Sequence, residues 1–138
     1  MRPQTCLPSG MSAGFTLIEV MITVVIIAIL GAIAIPSYRQ QVIRGNRSAA
    51  ESVMMDMANR EQQFLIANRV YADKAALVAS GYVLSSDVSS NYDWDVATPA
   101  GAVPTFTITF TAIGAQATDG ALTLDSQGNK TPIENWQR

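Results

Sequence analysis

Phe15-Thr-Leu-Ile-Glu19-Val-Met-Ile-Thr23-Val-Val-Ile-Ile-Ala-Ile-Leu30-Gly31-Ala-Ile-Ala-Ile35 is apolar almost throughout, with one charge, at Glu19. At a rise of about 1.5 Å per residue, its roughly 21 residues reach about 32 Å, close to the thickness of a bilayer's hydrocarbon core. Its many β-branched residues would suit strands in water. Lipid offers no partner to an open strand edge, however, so a single span has to be helical. A secretory signal has a shorter apolar region, about 7 to 15 residues, flanked by basic charge before it and a small-residue cleavage site after it. Here an acid sits near the start, and Pro36 and a polar helical pattern follow.

Past Pro36 the helical period persists. Ala50, Val53, Met54, Met57, Phe64 and Leu65 recur at helical steps, which predicts one apolar face. The opposite face sets Arg47 four residues before Glu51 and Asp56 four before Arg60, the spacing of exposed ion pairs. Met55 falls on this polar face, where it is a candidate subunit contact. Pro36 lacks an N–H and crowds the preceding turn, and Gly31 weakens the helix ahead of it, so the pair marks a kink. A partial unwinding of residues 31–35 in an assembled state is the stronger form of that expectation.

From Ala67 to about Asn91 the periodicity lapses into loop, with room for short helical or extended pieces. Three β segments then follow, Tyr92 to Ala97, Thr105 to Ala112 and Ala121 to Asp125, with a turn at Gln127-Gly-Asn-Lys130 leading into a last short strand. In Thr105-Phe-Thr-Ile-Thr-Phe-Thr, the alternation puts Phe106, Ile108 and Phe110 on one face. The economical lid for that face is the helical stripe of Val53, Met54, Met57 and Phe64. The expected fold is therefore α+β, a long kinked N-terminal helix packed on a small antiparallel sheet.

The composition removes several functions. Among 138 residues there is no His and one Cys, Cys6, so the usual zinc sites, a Cys-His pair and a Ser-His-acid triad all lack members. The paired acids Asp93 and Asp95 are the only hint of acid-base chemistry. On a strand they flank Trp94 and share its outer face, which solvation explains. No enzyme activity, cofactor or metal is expected. The formal net charge of -2, with Arg69, Lys74, Lys130 and Arg138 scattered through the head, leads us to expect no nucleic acid partner.

Gly14-Phe15-Thr16-Leu17-Ile18-Glu19, directly ahead of the apolar run, resembles the prepilin processing site shared by type IV pilins and type II secretion pseudopilins. The resemblance continues through Pro36, Ser37-Tyr38, Arg69-Val70-Tyr71-Ala72 and Leu122-Thr-Leu-Asp125 with Gly128, and is closest to minor pilins of the PilE type. It implies residues 1–14 as leader, 15–36 as the transmembrane and polymerisation half of the helix, 37–66 as its amphipathic half and 67–138 as the head. It also implies that a prepilin peptidase cuts between Gly14 and Phe15 and methylates the new amine of Phe15. Glu19 would then neutralise the amine of an adjacent subunit. An unpaired carboxylate deep in a bilayer costs about 2.5–3.5 kcal/mol, so such a residue marks a function or a partner. Taken alone, the residue also allows a carboxyl that snorkels to the interface or is simply protonated.

By the same resemblance the chain is a structural subunit. It would wait single-pass in the inner membrane among lipid, meet the peptidase and the inner-membrane assembly platform, and join other pilin subunits in an extracellular filament of the kind used for adhesion and twitching motility. A pseudopilin of a type II secretion system is the alternative, as is a DNA-uptake or adhesive pilin.

Some features depart from the pattern. Asp119 and Asn135 stand where PilE-type heads carry a disulfide, so packing of Leu122, Leu124, Ile133 and Trp136 would have to hold the last loop. Major pseudopilins use calcium there, and Asp119, Asp125 and Asn129 offer oxygens that turn formation explains equally. In the leader, Arg2 is the only basic residue, and Ala13 precedes the glycine where Lys or Arg is usual. Arg39, Arg44 and Arg47 lie beyond the span, so positive charge alone would orient it the other way. Met11 offers an alternative start to Met1.

Overall fold

A computed structural model describes residues 14–136; the expected leader, with Arg2, Cys6, Met11 and Ala13, lies outside the described residues, as do the last two positions. The chain forms two compact units, one reaching to Tyr38 and the other starting at Arg39.

The first unit is the start of helix α1 (Leu17–Asn68). Thr16 starts the helix: its carbonyl accepts the N–H groups of Glu19 and Val20, and its hydroxyl also accepts from Glu19 at 3.3 Å. Thr16-x-x-Glu19 is thus the sequence of a capping box, and Glu19 sits in the first turn, where a negative charge complements the helix dipole. Backbone geometry stays helical through Gly31 and Pro36.

In the second unit, α1 buries Ala50, Met54, Met57 and Glu61, a stripe at steps of four and three residues. The stripe covers a four-stranded antiparallel meander, β1 (Tyr92–Ala97), β2 (Thr107–Ala112), β3 (Ala121–Asp125) and β4 (Lys130–Thr131), in that spatial order. Register pairs Trp94 with Phe110 and Val96 with Ile108 in the first hairpin, and Ile108 with Leu124 and Phe110 with Leu122 in the second. The inward residues Tyr92, Val96, Ile108, Phe110, Leu122 and Leu124 are buried with Met54, Met57 and Phe106, while Val53 and Phe64 pack at the margin. The helix-on-sheet lid expected from the alternating Thr-Phe-Thr-Ile-Thr-Phe segment is the one observed.

Between α1 and β1 the loop contains two short helices, α2 (Lys74–Ala79) and α3 (Ser86–Ser89). Asp73 caps α2 by accepting the Ala76 N–H at 2.8 Å. A 3-10 turn, Gly114–Asp119, replaces what reads in sequence as plain turn before β3, and a fourth short helix, α4 (Ile133–Trp136), follows β4. Strand β2 begins at Thr107 instead of Thr105. Helix α1 stops at Asn68 because Arg69 turns left-handed, at φ 62°, with its N–H on the Leu65 carbonyl. That conformation usually calls for glycine.

Candidate functional site

At the N-terminal end, Gly14 and Phe15 are non-helical and exposed, and Phe15 shows 79% of its surface. A Cβ built on Gly14 would meet nothing within 4 Å among the described residues, so their packing does not demand glycine there. Four residues on, Glu19 projects from the first turn of α1, and its carbonyl accepts from the Thr23 hydroxyl at 2.8 Å. Phe15 and Glu19 therefore share one end of one helix, as the sequence suggests. Gly31 and Pro36 lie three to five turns further along; Pro36 leaves the Ala32 carbonyl without its usual helical donor. Between them the side chains are bare: Ile18, Ile27 and Ile33 are each more than 60% exposed. The 18-residue window here has a mean hydropathy of 2.8, apolar and long enough to cross a membrane.

The head holds a second cluster, one the sequence did not announce. Asp119, at the end of the 3-10 turn, has a fully buried carboxylate gripped at both oxygens by the Arg47 guanidinium. Tyr92 donates its hydroxyl to the same carboxylate at 2.6 Å, and Gln116 donates to it at 3.2 Å. Gln116 also donates to the Tyr92 oxygen and to the Ile43 carbonyl, both at 2.9 Å, and accepts from Asn46. Burial pushes the Tyr92 phenol above its ordinary range, against the pull of Gln116 and Arg47, so it remains a neutral donor.

Arg47 thus pairs across the fold, instead of with Glu51 as helical spacing suggests; the fully buried carboxylate is the stronger attractor. Glu51 is left with one oxygen buried and unpartnered. The Asp56–Arg60 pair does not close either: Arg60 lies over the Tyr82 ring, 5.1 Å from its centre.

The two positions expected to carry a disulfide in PilE-type heads are joined here by polar bonds. Asn135 donates its side-chain amide to the Asp119 carbonyl at 3.2 Å, and Arg47 reaches the Asn135 carbonyl at 3.5 Å while holding the Asp119 carboxylate. Leu122 and Leu124 contribute packing as anticipated, but Ile133 is 58% exposed, so packing alone does not hold the segment. The same bonds dissolve the oxygen set considered for calcium. Asp119 is committed to Arg47 and Tyr92, whereas Asp125 accepts from the Gln127 N–H and from both the N–H and the side-chain amide of Asn129. The Asn129 side chain is the chief reason the Asp125 carboxyl lies below its usual range.

Glu61 is also fully buried. One oxygen accepts the Ala72 N–H at 2.8 Å, and the other is unpartnered. Burial raises its carboxyl above the ordinary value, helped by nearby Asp73 and opposed by that N–H. The sequence reading passed it over, although it fills the next place in the Ala50, Met54, Met57 stripe.

Two family models match the sequence. Residues 10–35 match the prokaryotic N-terminal methylation motif, and residues 36–124, well over half the chain, match the family described as type IV minor pilin ComP, DNA uptake sequence receptor. Among curated proteins, the type IV wide pilus major component PilA4 of Thermus thermophilus is 36% identical over 69 residues, covering 49% of this chain and 53% of that protein. The type IV major pilin PilA of Myxococcus xanthus is 33% identical over 88 residues, covering 64% of this chain and 38% of that one. The type IV major fimbrial protein FimA of Dichelobacter nodosus is 38% identical over 67 residues, covering 41% and 42%. The chain thus spans about half or less of the length of these relatives.

Proposed function

The chain belongs to the type IV pilin family, and from that premise we propose that it is a minor subunit of a type IV pilus, cut between Gly14 and Phe15 and polymerised through α1. The observation that carries this reading is the contrast at Glu19: one carboxylate on an otherwise bare apolar helix, four residues from the exposed Phe15. Such a helix has two ways to cover its surface, lipid or other helices like itself, and burial against copies removes it from water in the polymer. In either low-dielectric setting the acid needs a cation, and the amine created at Phe15 of an adjacent subunit supplies one. The cap on the first turn is compatible with this, since Thr16 accepts the Glu19 backbone N–H and the Glu19 carboxylate takes no part in that bond.

On this reading the subunit is single-pass in the inner membrane, with residues 1–14 as leader, before the peptidase and the assembly platform act on it. Gly31 and Pro36 make residues 31–35 the segment of α1 that yields on assembly. The test is mass spectrometry of the mature amino terminus, with N-methylated Phe15 expected; a mature chain that begins at Met1 overturns it. Glu19→Val should insert in membranes yet fail to enter filaments. Gly14→Ala should stop cleavage, and because the added methyl meets nothing among the described residues, the block would report the peptidase.

A second reading rests on the matched family's description as a DNA uptake sequence receptor: the head would also hold duplex DNA. The cations in it are Arg69, Lys74, Lys130 and Arg138, with Arg60 on the adjoining stretch of α1. Binding whose logarithm falls linearly with that of salt concentration would support this reading. Failure to retain duplex DNA even at low salt would remove it.

A further inference from the structure

Asp93 and Asp95, the acids on either side of Trp94, have no part in the subunit reading, and their strand, β1, is an edge of the sheet. The Ile113 N–H donates to the Asn91 carbonyl at 2.9 Å, which sets the phase of the first hairpin. Odd-numbered residues of β1 exchange bonds with β2, so the N–H and C=O groups of Tyr92, Trp94 and Val96 face outward. An edge strand of six residues is a template on which another strand can add.

At Trp94, the middle of the three, both outward groups are answered by side chains. Its N–H donates to Asp93 Oδ1 at 2.9 Å, and its carbonyl accepts from Lys74 Nζ, on α2, at 2.6 Å. Lys74 and Asp93 are themselves 3.6 Å apart. The Lys74 ammonium also lies 5.1 Å from the centre of the Trp94 ring, which meets Tyr82 edge-on at 5.6 Å. The far edge is blunted by other means: β4 is two residues long, and Pro132, which has no N–H, follows it.

We propose that Lys74 and Asp93 are an edge guard that keeps a second copy of this chain from adding its β1 antiparallel to this one. The excluded partner is a copy because β1 is self-complementary: two such edges related by a two-fold axis would exchange bonds at the same three residues. Losing both bonds at the central residue breaks that ladder where it would be strongest. Lys74 and Asp93 are 41% and 71% exposed, so the pair adds little to the stability of a single head. Its effect is steric and directional, and it does not depend on the subunit reading.

The test uses the full chain in detergent micelles with Cys6→Ser and a pyrene-labelled Asp95→Cys on the exposed outer face of β1. A pyrene at Ser48→Cys, exposed on α1, controls for chains that merely share a micelle. With the guard intact, excimer emission from position 95 should match the control at every concentration. In Lys74→Ala/Asp93→Ala it should rise about tenfold over the control and grow with concentration, with near-ultraviolet circular dichroism unchanged. Lys74→Arg, which keeps a donor, should behave as the intact chain. A double variant that stays at the control level overturns the proposal, as does equal excimer from both positions or dimerisation of Lys74→Arg. If the double variant loses its near-ultraviolet signal, Asp93→Asn with Lys74→Ala replaces it, under the same two outcomes.

Discussion

Ile18, Ile27 and Ile33 in the first unit are 66%, 63% and 70% exposed, whereas Ile108 in the second is 0% exposed, although all four are the same residue in one short chain. In the head, apolar side chains are matched by the chain's own sheet and helix. In the N-terminal unit they are matched by nothing among the described residues. A stretch that cannot bury itself and a domain with its own core are the two halves that the proposed subunit, with lipid and then copies of itself as partners, would need. The contrast extends to charge: Asp119 has its counter-ion built in, while the carboxylate of Glu19 is supplied with no cation by the described residues.

That self-sufficiency of the head can be attacked directly. Asp119→Ala would leave the Arg47 guanidinium beside an uncompensated pocket and strip a partner from Tyr92 and Gln116. A loss of about 3–5 kcal/mol in the head's unfolding free energy is expected, read by urea denaturation in detergent. A loss below about 1 kcal/mol would mean that the network is ornamental and that packing alone holds the last segment.

The paired isoleucines sharpen the contrast next. Ile108→Ala should cost about 2–5 kcal/mol by the same denaturation, since it opens a cavity in the core under β2. Ile33→Ala should leave the head's transition where it was. Equal costs at the two sites would show that the units are not energetically separate.

Glu61 gives the smallest expected effect and a pH signature. Its carboxyl is raised in the folded head, so its contribution to stability is full below the ordinary value of 4.5 and is lost as pH climbs through the elevated one. Glu61→Gln keeps an acceptor for the Ala72 N–H and removes the ionisation. It should raise the melting temperature at pH 7 by about 4 °C, a gain near 1 kcal/mol, and bring no gain at pH 4. A gain that does not vary with pH would place the effect elsewhere.

Much of this was readable in the residues. The length and apolarity of Phe15 to Ile35 required a helix in lipid, and the Thr-Phe alternation around Ile108 required a sheet with a lid, because both are periodicities of a few residues. Tyr92 to Ala97 was delimited to the residue. What stayed hidden is long-range: Arg47 and Asp119 lie 72 positions apart, and nothing local shows that they meet. Local spacing even pointed the wrong way, since Glu51 stands four residues from Arg47, and only the closed fold reveals which carboxylate is dry. The 3-10 turn was missed for a related reason, because Gly114-Ala-Gln-Ala-Thr-Asp has no strong preference until Gln116 is drawn toward Ile43 and Tyr92. At the N-terminal end, the match of residues 10–35 to the methylation motif was legible because that motif is linear; the roles of Gly14, Phe15 and Glu19 within it are part of the proposal.

Asn135, Arg47 and Asp119 make a tie with consequences for where and when this head can form. From Phe15 onward the chain has no sulfur to oxidise except in methionine, so reaching the closed state needs no oxidant to take up electrons and waits on no thiol exchange. A reductant has nothing to cut in it. Its vulnerability lies instead in the pairing itself, since removing either Arg47 or Asp119 strands the other's charge in a buried pocket.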